Sequence, residues 1–586
     1  MTYSPPLRDM RFALTHTADL AGLTSLDAFS HVDEDTVFGA LDEAGRMVSE
    51  VIAPTNRDGD TIGSTLVDGA VVTPDSFKKA YGELVAGGWA GVKFPAEWGG
   101  FGFPRVVGTA LMEMITTANM AFSLCPMLTH SAVEALLAHG SDEHKAVYLE
   151  KLVTGEWAGT MHLTEAQAGS DVGALTSKAV PAGDGTWRVT GQKIFITFGD
   201  HDLTPNIIHF VLARTPDSPP GTKGISLFLV PKFLVDDDGT IGEPNDVTTV
   251  STEHKLGIHG SPTCVMSFGD SGEGAVGYLV GEENGGMRAM FTMMNDARVA
   301  VGLQGLAISE RSYQQAVTYA QERRQGRAVG ADPTESSPIV DHPDVRRMLM
   351  TMKSTIEAMR ALIYLNAASI DRAHSGSSDA EQARGSRLAD LLTPISKGWG
   401  TDMGVELTSI GIQIHGGMGY VEETGSPQHF RDARIAPIYE GTNGIQAIDL
   451  VMRKLPMDGG DFVRGFIDEL HDVARELDDQ GMEEIGRPLA AGLVALREAV
   501  DWLLACDDVN DRLAAASPFL RMAGVVIGGA LLGQQALAAA AAGDSAKVAT
   551  ARFFARQVVP TVGGLIPAVT AGAGDLFAID PTDLGG

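Results

Sequence analysis

The apolar period of this chain changes twice, and that change limits its architecture more than any other feature. From about residue 33 to 158 apolar residues recur at helical spacing. "DEDTVFGALDEAGRMVSEVI" places Val37, Phe38, Leu41, Ala44, Met47, Val48 and Val51 on one helix face behind an acidic start. From about 159 to 281 the period falls to two. "TWRVTGQKIFITFG", "NIIHFVLART", "GISLFLVPK" and "TCVMSFGD" are β-branched and aromatic runs bounded by Gly, Pro and Asp, the signature of strands. From about 285 the helical period returns. In "HPDVRRMLMTMKSTIEAMRALIYL", Val345, Met348, Leu349, Met352, Ile356, Met359 and Leu362 form one stripe, which reads as core rather than a methionine ligand site. An alanine-rich helical segment follows residue 458.

A chain of 586 residues exceeds what one core fills. The expected fold class is mainly α with a central β domain of barrel or sandwich type. The expected bodies are 1–158, 159–281, 282–458 and 459–586. A cleft between unlike domains is a common place for a cofactor.

Charge excludes some partners. With 44 Lys plus Arg against 75 Asp plus Glu, the formal net charge is −31. Such a surface repels nucleic acid and anionic membranes, and an anionic substrate would need a locally basic mouth. Three scattered cysteines, Cys125, Cys264 and Cys506, give neither a disulfide framework nor metal spacing. Together with a polar start, "MTYSPPLRDMRF", that favours a reducing, cytoplasmic setting. Met522 to Gly543 is 22 residues without a charge. Its Ala/Gly content and Gln534–Gln535 make it a buried helix rather than a membrane span. "WGGFGF" follows no strand and reads as a turn, not a dinucleotide loop.

Four stretches bear on chemistry. In "HLTEAQAGSDVGAL", Thr164, Ser170 and backbone N–H groups beside small residues can donate to carbonyl or phosphate oxygens, while composition alone favours an ordinary polar turn. In "KIFITFG", Phe195 and Thr197 are two apart and share a strand face, either half-buried or offering a ring and a hydroxyl to a planar cofactor. In "QIHGGMGYVEETGSPQHFRDARI", Gly416, Gly417 and Gly419 allow close backbone approach. In "RIAPIYEGTNGIQ", Glu440 stands before Gly441, which offers no side chain to obstruct a ligand. Near Ile438 and Tyr439 its pKa should rise toward that of a base working at neutral pH; a surface-loop glutamate is the plainer reading.

Taken together these stretches resemble, in order and spacing, the acyl-CoA dehydrogenases over roughly residues 33 to 455. "LTEAQAGSD" is similar to the first family signature and "RDARIAPIYEGTNGIQ" to the one carrying the catalytic base. Gln413 lies 27 residues before Glu440, and Arg298 lies 25 before Arg323, as the family pattern requires. The extension from about 459 onward, with "YSPPLRDMRFAL" near the start, resembles the longer bacterial branch. That branch includes 3-methylmercaptopropionyl-CoA dehydrogenases and broad-specificity mycobacterial enzymes.

The resemblance implies a helical N-terminal domain, a central β domain and a four-helix domain, plus an extra helical C-terminal domain, with FAD between the β domain and the helices. Met161, Thr164, Gly169 and Ser170 match positions contacting flavin and pyrophosphate, Ser170 also lying near the substrate. Phe195 and Thr197 match residues beside the flavin ring. Arg323, Gln413, Gly416 and Gly417 match positions binding the FAD of a neighbouring subunit, which implies a homodimer or homotetramer. Asn295 and Arg298 match the helix lining the acyl-CoA channel, Gly441 a substrate contact, and Thr442 and Gly444 the flavin-side turn. Glu440 would abstract the α-proton while hydride passes to the flavin, giving a trans-2-enoyl thioester and sending electrons to electron-transfer flavoprotein. Some family members place the base just before the arginine of "NDAR"; here that residue is Ala297, which cannot act as one.

The chain departs from the pattern at three points. Ala166–Gln167 replaces the usual proline, Phe195 stands where tryptophan is frequent, and "RRQGR" lacks the phenylalanine after the arginine. Acyl-CoA oxidases share the core and also carry an extension, so they are the rival reading. A DNA-associated flavoprotein would want a basic C-terminal region, whereas "DFVRGFIDELHDVARELDDQGMEE" is acidic.

Overall fold

The computed structural model describes residues 3–236, 238–332 and 334–585. Its first body is helical. The helix Glu34–Met47 starts where the Asp33 carboxylate accepts from the Thr36 N–H at 2.8 Å. It runs into a wider turn, Val48–Ile52. Val37, Leu41, Ala44 and Val48 are buried, with Phe38, Met47 and Val51 half-buried beside them. The helices Arg105–Ala118 and Met120–His139 form the interior of this body, almost every residue of both being buried.

The four quoted β runs fold as Trp187–Thr197, Ile207–Ala213, Ser226–Pro231 and Thr263–Phe268. The main sheet has eight strands. From one edge the order is Val247–Thr252, Thr263–Phe268, Trp187–Thr197, Ala275–Val280, Ser226–Pro231, Ile207–Ala213 and Ala158–His162, and Lys178–Pro181 also pairs with Trp187–Thr197. Only the last neighbours, Ala158–His162 and Ile207–Ala213, run parallel. The long strand Trp187–Thr197 joins the two halves of the sheet: its end pairs with Thr263–Phe268 and its start with Ala275–Val280. At the changeover sits Gly191 (φ +134°), where a Cβ would come 2.5 Å from Ser177 Oγ. Every residue of Ile207–Ala213 and Ser226–Pro231 is buried, so this half is covered on both faces.

Three long helices, Gly286–Glu322, Pro343–Ser375 and Asp379–His415, carry the next body. The first and third touch at glycine: a Cβ on Gly302 would lie 2.6 Å from Ser396 O. The methionine-rich stripe is core as expected, Met348 through Leu362 being buried and Val345 half-buried. A buried ion cluster ties this body to the first, Arg360 lying 2.7 Å from Glu113 and 3.0 Å from Glu310.

The last segment adds helices Asp461–Asp479, Glu483–Ala505, Val509–Ala541 and Ser545–Gln557. Among the described residues two helices, Met120–His139 and Val509–Ala541, are long and apolar enough to cross a membrane, and 89% and 83% of their apolar windows are buried inside the protein. Sequence reading singled out only the second. The N-terminal helix Leu7–His16 is stitched to this segment through Arg8–Asp544 at 2.5 Å and Asp9–Lys547 at 2.8 Å.

Candidate active site

Glu440 lies in a short loop between the helices Ser426–Ala433 and Asn443–Asp449. The second helix begins where Thr442 Oγ1 accepts from the Ile445 N–H at 3.2 Å, a cap that the "EGTN" order supplies. The Asn443 N–H donates to Pro437 O at 3.0 Å and closes the loop. Gln446 Nε2 donates to the carbonyls of Glu440 at 3.3 Å and Gly441 at 3.2 Å. Glu440 itself has φ +56°. Nine described non-glycine residues have positive φ, and five are Asp or Asn, residues that tolerate the left-handed region in turns. The other four are Phe195, Phe198, Ile258 and Glu440. Two of these four are residues that the sequence motifs single out, and strain of this kind gathers at functional sites. Gly441 is constrained as well (φ +81°), because a Cβ there would come 2.9 Å from Gln446 Nε2.

Two cations act on the Glu440 carboxyl. Burial pushes its pKa up to about 7, while Arg298 and Lys397 oppose the rise. Ile438, expected to help desolvate it, is 48% exposed; the neighbour that does lie inward is Tyr439, whose hydroxyl donates to Gln304 Oε1. Burial lowers Arg298, which lies 3.9 Å from the Asp449 carboxylate. Lys397 is fully buried, and burial brings it down to about 7. Its Nζ donates to Gly441 O at 2.7 Å and to Asn443 Oδ1 at 2.9 Å. Sequence reading missed Lys397, Asn443, Gln446 and Gln304. A lone lysine inside the apolar helical run "LLTPISKGWG" was the available signal for the first of them.

Asn295 and Arg298 border a cavity of about 560 Å³, lined also by Asp449 at the end of the helix that follows the Glu440 loop. Arg105, Arg298 and Lys454 face Glu134, Asp296, Asp390 and Asp449, so the charges are mixed. Ala297, between Asp296 and Arg298, is fully buried.

In the β domain Phe195 stands out. It has φ +59° and is 60% exposed although it lies within the strand Trp187–Thr197. Ile196, facing the other way, is buried, and the carbonyl of Thr197 accepts from Thr160 Oγ1 at 2.8 Å. Thr164 is bound to the same strand, its carbonyl accepting from the Ile194 N–H at 3.0 Å, while Met161 is buried in the edge strand Ala158–His162. Gly169 and Ser170 are exposed, with nothing within 4 Å of a Cβ on Gly169. Glu165 anchors this loop from inside, accepting from Thr176 N–H at 2.7 Å, Ser177 N–H at 3.0 Å and Lys193 Nζ at 2.9 Å. These partners hold its carboxyl far below the usual range. Gln167, standing in for the absent proline, donates to Glu165 Oε2 at 2.7 Å and so serves the same anchor.

Arg323, Gln413, Gly416 and Gly417 form a separate, exposed group at the C-terminal ends of the helices Gly286–Glu322 and Asp379–His415. Gly416 ends its helix at φ +60°, and a Cβ on either glycine would meet nothing within 4 Å. Among the described residues no hydrogen bond or ion pair joins this group to Phe195 or Thr197. Gly444, exposed like them, lies in the first turn of the helix after Glu440.

The descriptions "Acyl-CoA dehydrogenase, N-terminal domain", "middle domain" and "C-terminal domain" match residues 41–156, 160–271 and 284–455. The chain belongs to the acyl-CoA dehydrogenase family. A further match, "Acetyl-CoA dehydrogenase C-terminal like", covers the extra segment, residues 466–580. The chain is 47% identical over 571 residues to 3-methylmercaptopropionyl-CoA dehydrogenase of Ruegeria pomeroyi, covering 95% of this chain and 96% of that one. It is 34% identical over 616 residues to a broad-specificity linear acyl-CoA dehydrogenase of Mycobacterium tuberculosis, covering 99% of each. A solved acyl-CoA dehydrogenase of Bacillus anthracis, complexed with FAD, shares the fold at TM-score 0.71 and 19% identity, over 96% of this chain and 91% of that one.

The enzyme is an FAD-dependent oxidoreductase acting on acyl-CoA. The side chains fit that cofactor: an outward phenylalanine held at positive φ beside Thr197 suits a flat ring, and the open glycines suit a pyrophosphate.

Proposed function

We propose that this chain catalyses α,β-dehydrogenation of an acyl-CoA thioester to the trans-2-enoyl-CoA with Glu440 as the α-proton base. One observation carries the reading. The left-handed conformation of Glu440 joins a carboxyl poised near pH 7 to a backbone N–H that donates no hydrogen bond among the described residues. An α-proton of a thioester is a weak acid, so its removal needs a matched base and a donor for the developing enolate oxygen. The Glu440 carboxylate takes the proton, and its own N–H is free to hold that oxygen. Gly441 leaves the approach open, and Arg298 keeps the carboxylate accessible as an anion. Bound FAD supplies the acceptor for the β-hydrogen and its electron pair. Met161, Thr164, Gly169, Ser170, Phe195, Thr197, Thr442 and Gly444 would hold it from one chain; Arg323, Gln413, Gly416 and Gly417 would reach the FAD of a neighbouring copy in a homodimer or homotetramer. Asn295, Arg298, Gly441 and Ser170 would face the CoA thioester. The four bodies named from the sequence and a cytoplasmic setting belong to the same reading.

A short acyl group is the better supported substrate. Beyond Glu440 the line Tyr439–Gln304–Met127 crosses between two helices, with Gln304 Nε2 donating to Met127 Sδ at 3.4 Å. On the flank of the same helices Lys93, Arg105, Glu134 and Asp296 are locked in ion pairs, and Ser131 donates to Asp296 at 3.1 Å. A long alkyl chain between these helices would have to break bonded polar groups. The three-carbon thioether acyl group named for the Ruegeria relative agrees with this.

Electron-transfer flavoprotein is the proposed acceptor, since the bound product and the ring of Phe195 would shield the cofactor from water and oxygen. The test mixes the yellow holoenzyme anaerobically with butyryl-, 3-methylmercaptopropionyl- and palmitoyl-CoA, follows bleaching, and identifies the enoyl product. Equal rates with palmitoyl-CoA would remove the short-chain reading. In air, stoichiometric peroxide over many turnovers, with no gain from electron-transfer flavoprotein, would make the enzyme an oxidase.

A further inference from the structure

The cation that grips the base loop is covered from behind by the C-terminal segment. Lys397 Nζ binds Gly441 O at 2.7 Å, the carbonyl next to the base, and Asn443 Oδ1 at 2.9 Å, the first residue of the following helix. The Asn443 amide donates onward to Gly398 O at 3.0 Å, Thr401 Oγ1 at 3.0 Å and Asp402 Oδ1 at 2.7 Å. One turn of the helix Asp379–His415 thus fastens the loop on both sides of Thr442. The helix Val509–Ala541 closes the far side of that turn. Leu520 packs so tightly on Gly398 that a Cβ there would sit 2.8 Å from it. Trp399 is buried against Gly524. Arg521 pairs with Glu406, one turn beyond Asp402, at 2.5 and 3.0 Å.

We propose that Lys397 and Asn443 are positioning residues that hold Glu440 in its left-handed conformation, and that the C-terminal segment keeps them in place. The proposal rests on Glu440 being the base. A residue at φ +56° relaxes toward negative φ unless its neighbours over-determine it, and Lys397 supplies the only side-chain ammonium bound to this loop among the described residues. Other charged groups face the pair. Arg298 and Lys397 face Glu440; Glu440, Asp402 and Arg298 face Lys397; Glu406 and Arg521 face Asp402; and Asp449 and Arg453 face Arg298. An ammonium so placed also favours the ionised carboxylate.

The test is stopped-flow flavin reduction by acyl-CoA, from pH 5 to 9, with FAD-saturated wild type, Lys397→Met, Asn443→Ala, Arg521→Met and Glu440→Gln. For Lys397→Met the reduction rate should fall about ten- to a hundredfold, as for a displaced catalytic group. KM should stay within about threefold, and the acid limb should move up by about one pH unit. Asn443→Ala should lose rate while keeping the acid limb, because it removes the fastening but not the charge. Arg521→Met, half-exposed, should fold normally and lose rate in the same sense, to a lesser degree. If Glu440→Gln is inactive but Lys397→Met or Asn443→Ala matches wild type in rate and acid limb, the positioning role is overturned. Wild-type rates in Arg521→Met would overturn the role of the C-terminal segment. Should Lys397→Met fail to fold, Asn443→Ala and Arg521→Met decide. Near-normal reduction by Glu440→Gln would overturn the base assignment instead.

Discussion

Replacing Glu440 by glutamine tests the chemistry while keeping the shape. The amide is isosteric, so the Gln446, Lys397 and Asn443 bonds to the loop can persist. What disappears is the proton acceptor. A general base contributes about 10²–10⁴ in rate, and two structural facts place the loss at or above the top of that range. Among the described residues the nearby carboxylates are paired elsewhere: Asp449 lies 3.9 Å from Arg298 and 3.3 Å from Arg453, and Asp402 accepts from Asn443. Arg298 and Lys397 would also remain beside a neutral side chain, so the site keeps its cations without the anion that answers them. A loss of about 10⁴ or more corresponds to roughly 5.5 kcal/mol of barrier. The assay is single-turnover bleaching of the flavin under anaerobic conditions, with acyl-CoA binding measured separately on the same protein. FAD content and binding should be retained while bleaching falls by that factor. A reduction rate within about tenfold of wild type would show that Glu440 is not the base.

Four further outcomes are expected. Because burial raises the Glu440 pKa to about 7, the protonated, inactive form dominates below that pH, so kcat/KM should drop about tenfold per unit as pH falls below 7; a flat profile down to pH 5 would contradict the burial argument. Glu440→Gly removes both a left-handed side chain and a half-buried carboxyl, so thermal unfolding should move upward while turnover is abolished. Arg323→Ala should release FAD and weaken the oligomer together, read by absorbance and light scattering, and a fully flavinated monomer would refute the shared site. Arg360→Met strands the buried carboxylates of Glu113 and Glu310, which should cost about 3–5 kcal/mol of stability by chemical denaturation with catalytic residues untouched.

Period and motif made much of this legible, and packing accounts for what they missed. The four strongest β runs appear as strands, but Ala158–His162 did not stand out, because "AGTMH" is short and is a strand only through its parallel partner. Phe195 and Thr197 were placed on one face by simple alternation. The positive φ of Phe195 was invisible, since β propensity describes a pleated surface and not a local kink. The motif around Glu440 marked the carboxylate, whereas its desolvation comes from the fold: Ile438 turns outward and Tyr439 inward. Lys397 lies 43 residues upstream of Glu440, and only the packing of its helix against the loop gives it meaning. Net charge is a property of the whole surface, while the cavity sets cations against carboxylates one by one.

The two strained site residues occupy different bodies, Phe195 on the sheet and Glu440 between helices, and each is held by a different device. Phe195 sits where the ladder to Thr263–Phe268 shifts register between Cys264 and Met266, so a bulge absorbs its conformation. Glu440 has no ladder, and its conformation costs on the order of 1–3 kcal/mol. Against that stand the bonds from Asn443 N–H to Pro437, from Gln446 to two carbonyls, and from Lys397 to Gly441, each worth about 1 kcal/mol. Four such bonds suffice to hold the loop, with little to spare. A chain that relied on them alone would lose the geometry with any one partner. The helix Val509–Ala541, packed behind Gly398 and Trp399, makes the anchoring turn too rigid to yield, which gives the long C-terminal segment a reason to be where it is.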